Sequence, residues 1–301
     1  MQPTMSSLLQ AAWSLLRAPA NELGFLVRSS LRWSRGEPAL PDESKQALFD
    51  FLPPAERAAA ERRLAGWRSW PEIDALAAHG SRTTLLDAVH RLEGLERLVG
   101  EREVPRGVDG VVRALDVGCG DFRYAAALAG WLGRHGASPR RPVVLRGIEV
   151  DGFGVYRDGH ARADHARAHA RLAAAGGAEV RFEVADFVGR SWPEQDVVSL
   201  FFPFLGARAC LAWGLPLSRL APTRLLRRAV ASVRPGGWLL VVDQTQAERR
   251  RLRRLLADQP VTCLAEASFA TTLVPWAERT ADQTASLWLR HEGMPNETAG
   301  R

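Results

Sequence analysis

Lysine is almost absent from this 301-residue chain: of 40 basic side chains only Lys45 is a lysine, and the others are arginine. With abundant alanine, leucine and glycine, that bias matches a coding sequence rich in G and C. The formal charge of +6 therefore reads as mainly compositional rather than as a basic patch for nucleic acid. Cysteine is scarce as well. Cys119, Cys210 and Cys263 are too few and too scattered for a zinc site or a disulfide framework, and they point to a reduced, cytoplasmic compartment. No uninterrupted apolar run has the length needed to span a bilayer. The apolar stretch Leu8 to Leu16 has no basic residue ahead of it and is closed by Arg17, the wrong arrangement for a secretory signal, so an amphipathic helix is the expectation. The chain has no internal repeat and no low-complexity tract, and it is long enough for a substantial core.

What is there is concentrated at one place. The run Val112-Arg113-Ala114-Leu115-Asp116-Val117 reads as a buried strand that breaks into Gly118-Cys119-Gly120-Asp121, and alanine-rich sequence with helical spacing, Tyr124 to Leu132, follows. A strand, a glycine turn and a helix start expose backbone N–H groups that no Cβ shields. In open α/β sheets this is where ligands sit. A dinucleotide fingerprint needs a third glycine three residues past Gly120, where this chain has Arg123. The carboxylate of Asp116 disfavours phosphates and favours a ligand carrying an ammonium group.

In these residues the chain resembles the class I S-adenosylmethionine-dependent methyltransferases, whose first motif reads acidic-x-Gly-x-Gly. Further segments follow in the family's order. The strand Val143 to Val150 carries Glu149 where the family holds the ribose hydroxyls, and Val180 to Val184 runs into Ala185-Asp186-Phe187, at the adenine. Asp196 to Phe202 stands as the fourth strand, and Val233 to Asp243 contains the Pro235-Gly236-Gly237 turn that feeds the fifth. Val261 to Val274 and Thr284 to Leu289 supply two closing strands. The resemblance implies a Rossmann-like, doubly wound, mostly parallel seven-stranded sheet. It implies S-adenosylmethionine as cofactor, held by Asp116, Gly118, Gly120, Glu149, Asp186 and Phe187, with Asp116 and Glu149 clasping one ligand. It departs from the family at Phe122, where another glycine is usual, so the loop is expected to be reshaped or partly filled by that ring. The segment between Asp116 and Glu149 is also longer than usual.

The expected organisation is an N-terminal helical cap over residues 1–105, a cofactor-binding domain over 106–293 and a tail over 294–301. Residues 5–17, 22–32, Ser44 to Phe51, Pro54 to Trp67 and Ser81 to Val99 read as helices. Trp13, Leu16, Phe25, Leu26 and Leu31 are expected to be buried, and Ser81 is expected to start its helix as a cap.

Methyl transfer from a sulfonium is an in-line displacement, so the protein's task is to position an acceptor and exclude water, and no catalytic triad or metal is required. The expected acceptor is a small molecule. An RNA or protein acceptor, or a binding protein without catalysis, stands as the alternative. Phe201-Phe202-Pro203-Phe204 is either an aromatic wall for the sulfonium or a packed strand end. Tyr124, His90 and Asp243 are candidate bases by position, and Asp243 with Gln244 either meets the acceptor or caps a helix. His160, His165 and His169, with Asp158 and Asp164, read as an exposed helix rather than a metal site, and the arginines at 249–251, 253 and 254 as a solvated face rather than an RNA contact.

Overall fold

The computed structural model describes residues 5–136 and 139–292, so the expected tail lies outside the described residues. Strands β1 (Val112–Val117), β2 (Val143–Glu149), β3 (Glu179–Val184), β4 (Gln195–Phe201), β5 (Val233–Asp243), β6 (Val261–Ser268) and β7 (Thr284–Arg290) form one sheet in the order β3-β2-β1-β4-β5-β7-β6. The first five are parallel, and β7 runs antiparallel to both β5 and β6. This is the doubly wound, mostly parallel architecture expected from the sequence. β6 ends at Ser268, short of Val274, because its partner β7 begins at Thr284, directly opposite Ser268. Beyond that residue a single backbone bond, from the Phe269 N–H to the Gln283 carbonyl at 2.8 Å, closes the pairing.

Side chains alternate across a strand, and here the alternation sorts residues into two apolar cores. On β5, Trp238, Leu240 and Val242 enter one core, and Leu239 and Val241 enter the other. The first core is covered by α3 (Pro71–His79), α4 (Arg82–Val99), α5 (Ala125–Arg134) and α6 (Arg162–Ala174). The second lies beneath α8 (Pro222–Ser232) and α9 (Gln246–Leu256), which pack against each other. α4 is amphipathic as read: Leu85, Leu86, Val89, Leu92, Leu95 and Leu98 are all buried, and the Ser81 hydroxyl accepts from the Thr84 N–H at 3.0 Å. Helices from the first hundred residues therefore share a core with the sheet.

Two helix expectations are corrected. Residues 5–17 and 22–32 form one helix, α1 (Met5–Leu31), which continues through Pro19. On it Trp13, Leu16, Leu26 and Leu31 are exposed, and only Phe25 of the expected set is buried. α1 meets the body through the row Asn21, Phe25 and Arg28, whose polar members bond the carbonyls of Leu211, Leu215 and Gly214 around the short helix α7 (Ala207–Ala212). Apolar spacing pointed to the opposite side because this helix is anchored mainly by hydrogen bonds. Ser44 to Phe51 is a turn, not a helix. Ala47 takes a φ of +56°, the Arg82 guanidinium binds the Gln46 and Ala47 carbonyls, and Pro53 follows. α2 (Pro54–Trp67) comes next.

Candidate functional site

The C-terminal ends of the parallel strands form one edge of the sheet, and the glycine turn lies on it. Gly118 and Gly120 have φ of +74° and +61°, a region L-residues avoid, and a Cβ on either would meet no atom within 4 Å. The N–H groups of Gly118 and Cys119 both donate to the Ile148 carbonyl, tying the turn to β2. Phe122 also has a positive φ, +54°, as a glycine would. Its ring is fully buried against Gly147, where an added Cβ would lie 2.8 Å from it. The ring anchors the loop from below and does not fill the space above the glycines.

Asp116 and Glu149 lie on the same face of the sheet, since Asp116 pairs with Gly147 and Glu149 follows two residues on. They have different tasks. One Glu149 oxygen accepts the Gly120 N–H and the other the Asp151 N–H, both at 2.9 Å, so this carboxylate sits on the turn itself. Arg162 approaches it at 3.8 Å and also pairs with Asp151, and Asp151 in turn pairs with Arg28 of α1. Asp116 is completely buried, and its two oxygens accept from the Tyr124 hydroxyl at 2.7 Å and the Ser199 hydroxyl at 2.6 Å. Burial pushes its pKa up to about 6, against the opposing pull of those two bonds. Asp116, fully buried, braces the strand and helix beneath the loop through Ser199 of β4 and Tyr124 at the start of α5.

Asp186 is half exposed. One of its oxygens accepts the N–H groups of Val188 and Gly189, and the other meets Arg219 at 2.9 Å. Phe187 points the other way, into the second core, where its ring stacks on Trp192 with centroids 5.8 Å apart. Its side chain is a packing group, as the alternation after β3 requires.

At the β4 and β5 end of the edge, Phe201 is buried and Phe202 holds a φ of +59°. The Phe201 and Phe202 rings face a cation of the protein's own. The Arg91 guanidinium lies 4.7, 4.8 and 4.9 Å from the ring centroids of Tyr124, Phe201 and Phe202. Arg91 is 7% exposed, and its Nε and Nη1 have no hydrogen-bond partner among the described residues. Each ring offers about 0.5–2 kcal/mol, whereas burying an ion costs several kcal/mol, so the cage leaves this charge under-compensated. Asp243, 1% exposed, has neither oxygen bonded among the described residues. Burial, reinforced by Glu248, pushes its pKa up to about 7. The other candidate bases are committed: the Tyr124 hydroxyl to Asp116, and His90, its pKa lowered by burial to about 4, to the Phe269 carbonyl at 2.8 Å. Gln244 is half-buried, and its N–H donates to Glu248 in the first turn of α9.

The three histidines are engaged separately: His160 with the Gly36 carbonyl, His169 with the Asp121 carbonyl and His165 with Asp158. Among the described residues no group of three potential ligands is placed to hold a metal. Sequence reading missed Ser199 and Arg91. A serine inside Val197-Val198-Ser199-Leu200-Phe201, and an arginine in one helical row with Ala88 and Leu95, were the available signals.

No family model matches the chain, and none of the curated proteins does. Solved structures do. A putative class I S-adenosylmethionine-dependent methyltransferase from Listeria monocytogenes aligns over 85% of this chain and 82% of its own, at 15% identity and TM-score 0.45. TrmN from Thermus thermophilus aligns over 68% of this chain at 20% identity and TM-score 0.42, and the match spans about half of that protein, 48%. A geranyl diphosphate C-methyltransferase from Streptomyces coelicolor aligns over 66% of this chain and 75% of its own, at 13% identity and TM-score 0.42. The strand order makes the fold Rossmann-like. Likeness at these identities bears on architecture, and the chemistry has to be argued from the site.

Proposed function

We propose that this chain is an S-adenosylmethionine-dependent methyltransferase acting on a small-molecule acceptor. The observation that carries the reading is the pair of left-handed glycines under open space with the Glu149 carboxylate resting on the turn between them. That cradle suits a ligand with hydroxyl groups and without phosphates. Gly118 and Gly120 would admit it against the backbone, Glu149 would accept from its hydroxyls, and Asp186 would flank its far end. The Phe187 side chain takes no direct part, and Asp116 keeps the loop in place from beneath.

When bound, the cofactor supplies a sulfonium methyl group, an electrophile that needs no nucleophile from the protein. What the chain's own residues do is positional. The Arg28 to Asp151 pair ties α1 to the tip of β2 and encloses the edge. Holding an acceptor in line is worth ~7–11 kcal/mol. Asp243, with its oxygens uncommitted and its pKa near neutrality, is the group fitted to take a proton from the acceptor. All three cysteines are free thiols, in keeping with a cytoplasmic enzyme. Among the described residues no helix is long and apolar enough to cross a membrane.

One observation favours a second reading, an acceptor within RNA. α8 and α9 carry eight arginines against one glutamate, a formal +7, so the rest of the chain is close to neutral. Arg249 and Arg253 pair with Glu266, whereas Arg250, Arg251 and Arg254 are exposed with no ion pair among the described residues. The charge is thus localised, contrary to the compositional reading.

The test is calorimetric titration of S-adenosylmethionine and S-adenosylhomocysteine into the wild type and Glu149→Ala. Binding is expected, weakened in the variant by about 1.5–3 kcal/mol as charged-group hydrogen bonds are lost. Equal affinities reject the assignment. Incubation of a host extract with methyl-labelled cofactor then separates the acceptors, with label expected in small molecules and the RNA reading requiring it in RNA.

A further inference from the structure

We infer that Arg91 receives the acceptor, and that the acceptor carries an oxyanion, a carboxylate or a phosphate. The inference deepens the proposed methyl transfer and rests on it for the word acceptor, but the site stands on its own geometry.

Arg91 reaches the functional edge from α4 at a defined point. Tyr124, on one side of it, opens α5 immediately after the glycine turn, and Phe201 and Phe202, on the other, close β4. A guanidinium there lies between the cradle and the strand tips next to it. Its surroundings are apolar walls that accept nothing in the plane of the group. Nε and Nη1 are unpartnered, and Nη2 stands 3.8 Å from Asp87, beyond hydrogen-bond reach. Asp116 has already given both oxygens to Tyr124 and Ser199.

Another deeply buried arginine makes the contrast. Arg141 is 5% exposed and donates to the carbonyls of Val104, His135 and Gly136. Arg141 is a structural cation, while Arg91 keeps its fork of donors without an acceptor. The cage around it is held at a backbone cost, since Phe122, packed edge-on against Tyr124, and Phe202 both adopt left-handed conformations. Such outliers persist where the surroundings enforce them, and they gather at ligand sites. A planar fork of N–H donors in an aromatic enclosure matches a carboxylate or a phosphate through two parallel hydrogen bonds.

The experiment titrates benzoate, phenyl phosphate and the neutral control benzyl alcohol into the full-length wild type, Arg91→Gln and Arg91→Lys, with and without S-adenosylhomocysteine. At least one of the two anions is expected to bind the wild type tenfold or more tighter than benzyl alcohol. Arg91→Gln is expected to abolish that preference and Arg91→Lys to retain part of it. Preference for benzoate assigns a carboxylate and preference for phenyl phosphate assigns a phosphoryl group. No preference in the wild type, or an undiminished one in Arg91→Gln, overturns the inference. Should Arg91→Gln not fold, the Arg91 Nε–H resonance of the wild type decides: it shifts when the preferred anion binds, and an unmoved resonance overturns the inference. If the anion preference holds while S-adenosylhomocysteine fails to bind, the cofactor assignment falls and the anion site stands.

Discussion

The two halves of the functional edge treat charge in opposite ways. At β1 and β2 each carboxylate is bonded: Glu149 to two backbone N–H groups, Asp116 to two hydroxyls, and Asp151 to Arg28 and Arg162. At β4 and β5 the Arg91 guanidinium and the Asp243 carboxylate are as deeply buried but have no hydrogen-bond partner among the described residues. Buried charge without hydrogen-bond partners is expensive. The first half is an assembly of bonded charges, and the second holds charged groups whose donors and acceptors have no hydrogen-bond partner among the described residues.

The comparison is most exposed to a test at Phe122, the anchor of the assembled half. Replacing it with alanine is expected to cost about 3–5 kcal/mol in urea unfolding, because the ring is lost while the left-handed backbone stays strained. Phe122→Gly is expected to lose about 1 kcal/mol less, as glycine relieves that strain. A loss under 1 kcal/mol in Phe122→Ala would mean that the ring does not hold the loop.

In the unpaired half, Asp243 has a folded-state pKa of about 7 against an ordinary value of 3.8. A raised carboxyl pKa means that the folded chain holds the proton more tightly. The associated stability is complete below about pH 4 and is lost as pH rises through about 7, a fall of about 2–4 kcal/mol. Urea midpoints measured from pH 4.5 to 8 are expected to decline in the wild type and to flatten in Asp243→Asn. Asp116, raised to about 6, leaves a smaller slope in both proteins. An unchanged slope in the variant would place the unpaired charge elsewhere.

The smallest change in stability is expected at Gly118. Gly118→Ala puts a methyl group on a residue at φ +74° with nothing around it, costing about 1 kcal/mol of stability. Because that methyl group enters the cradle, S-adenosylhomocysteine binding is expected to fall at least tenfold by calorimetry. Retained affinity would show that the open space is not the ligand's.

Legibility follows the same division. The strands from Val112 to Asp243, the glycine turn and the stripe on α4 were readable because alternation, helical period and turn chemistry are local. Glu149 at the turn was readable as a strand tip. The partners of Asp116 were not, since Tyr124 lies eight positions away and Ser199 eighty-three. The packing of the Phe187 side chain in the second core was not readable, because a residue's place at a strand end does not reveal which side of the sheet it faces. The exposed side of α1 was misread because an apolar period identifies a face without identifying what covers it.

By itself, then, the sequence determined the order and type of the elements, the left-handed turn that only glycine tolerates cheaply, and the acidic strand tip beside it. Tertiary structure alone decided which buried charges are compensated. A charge's partner comes from a segment distant in the chain, and whether Arg91 or Asp116 finds one depends on how two helices and two strands pack around it.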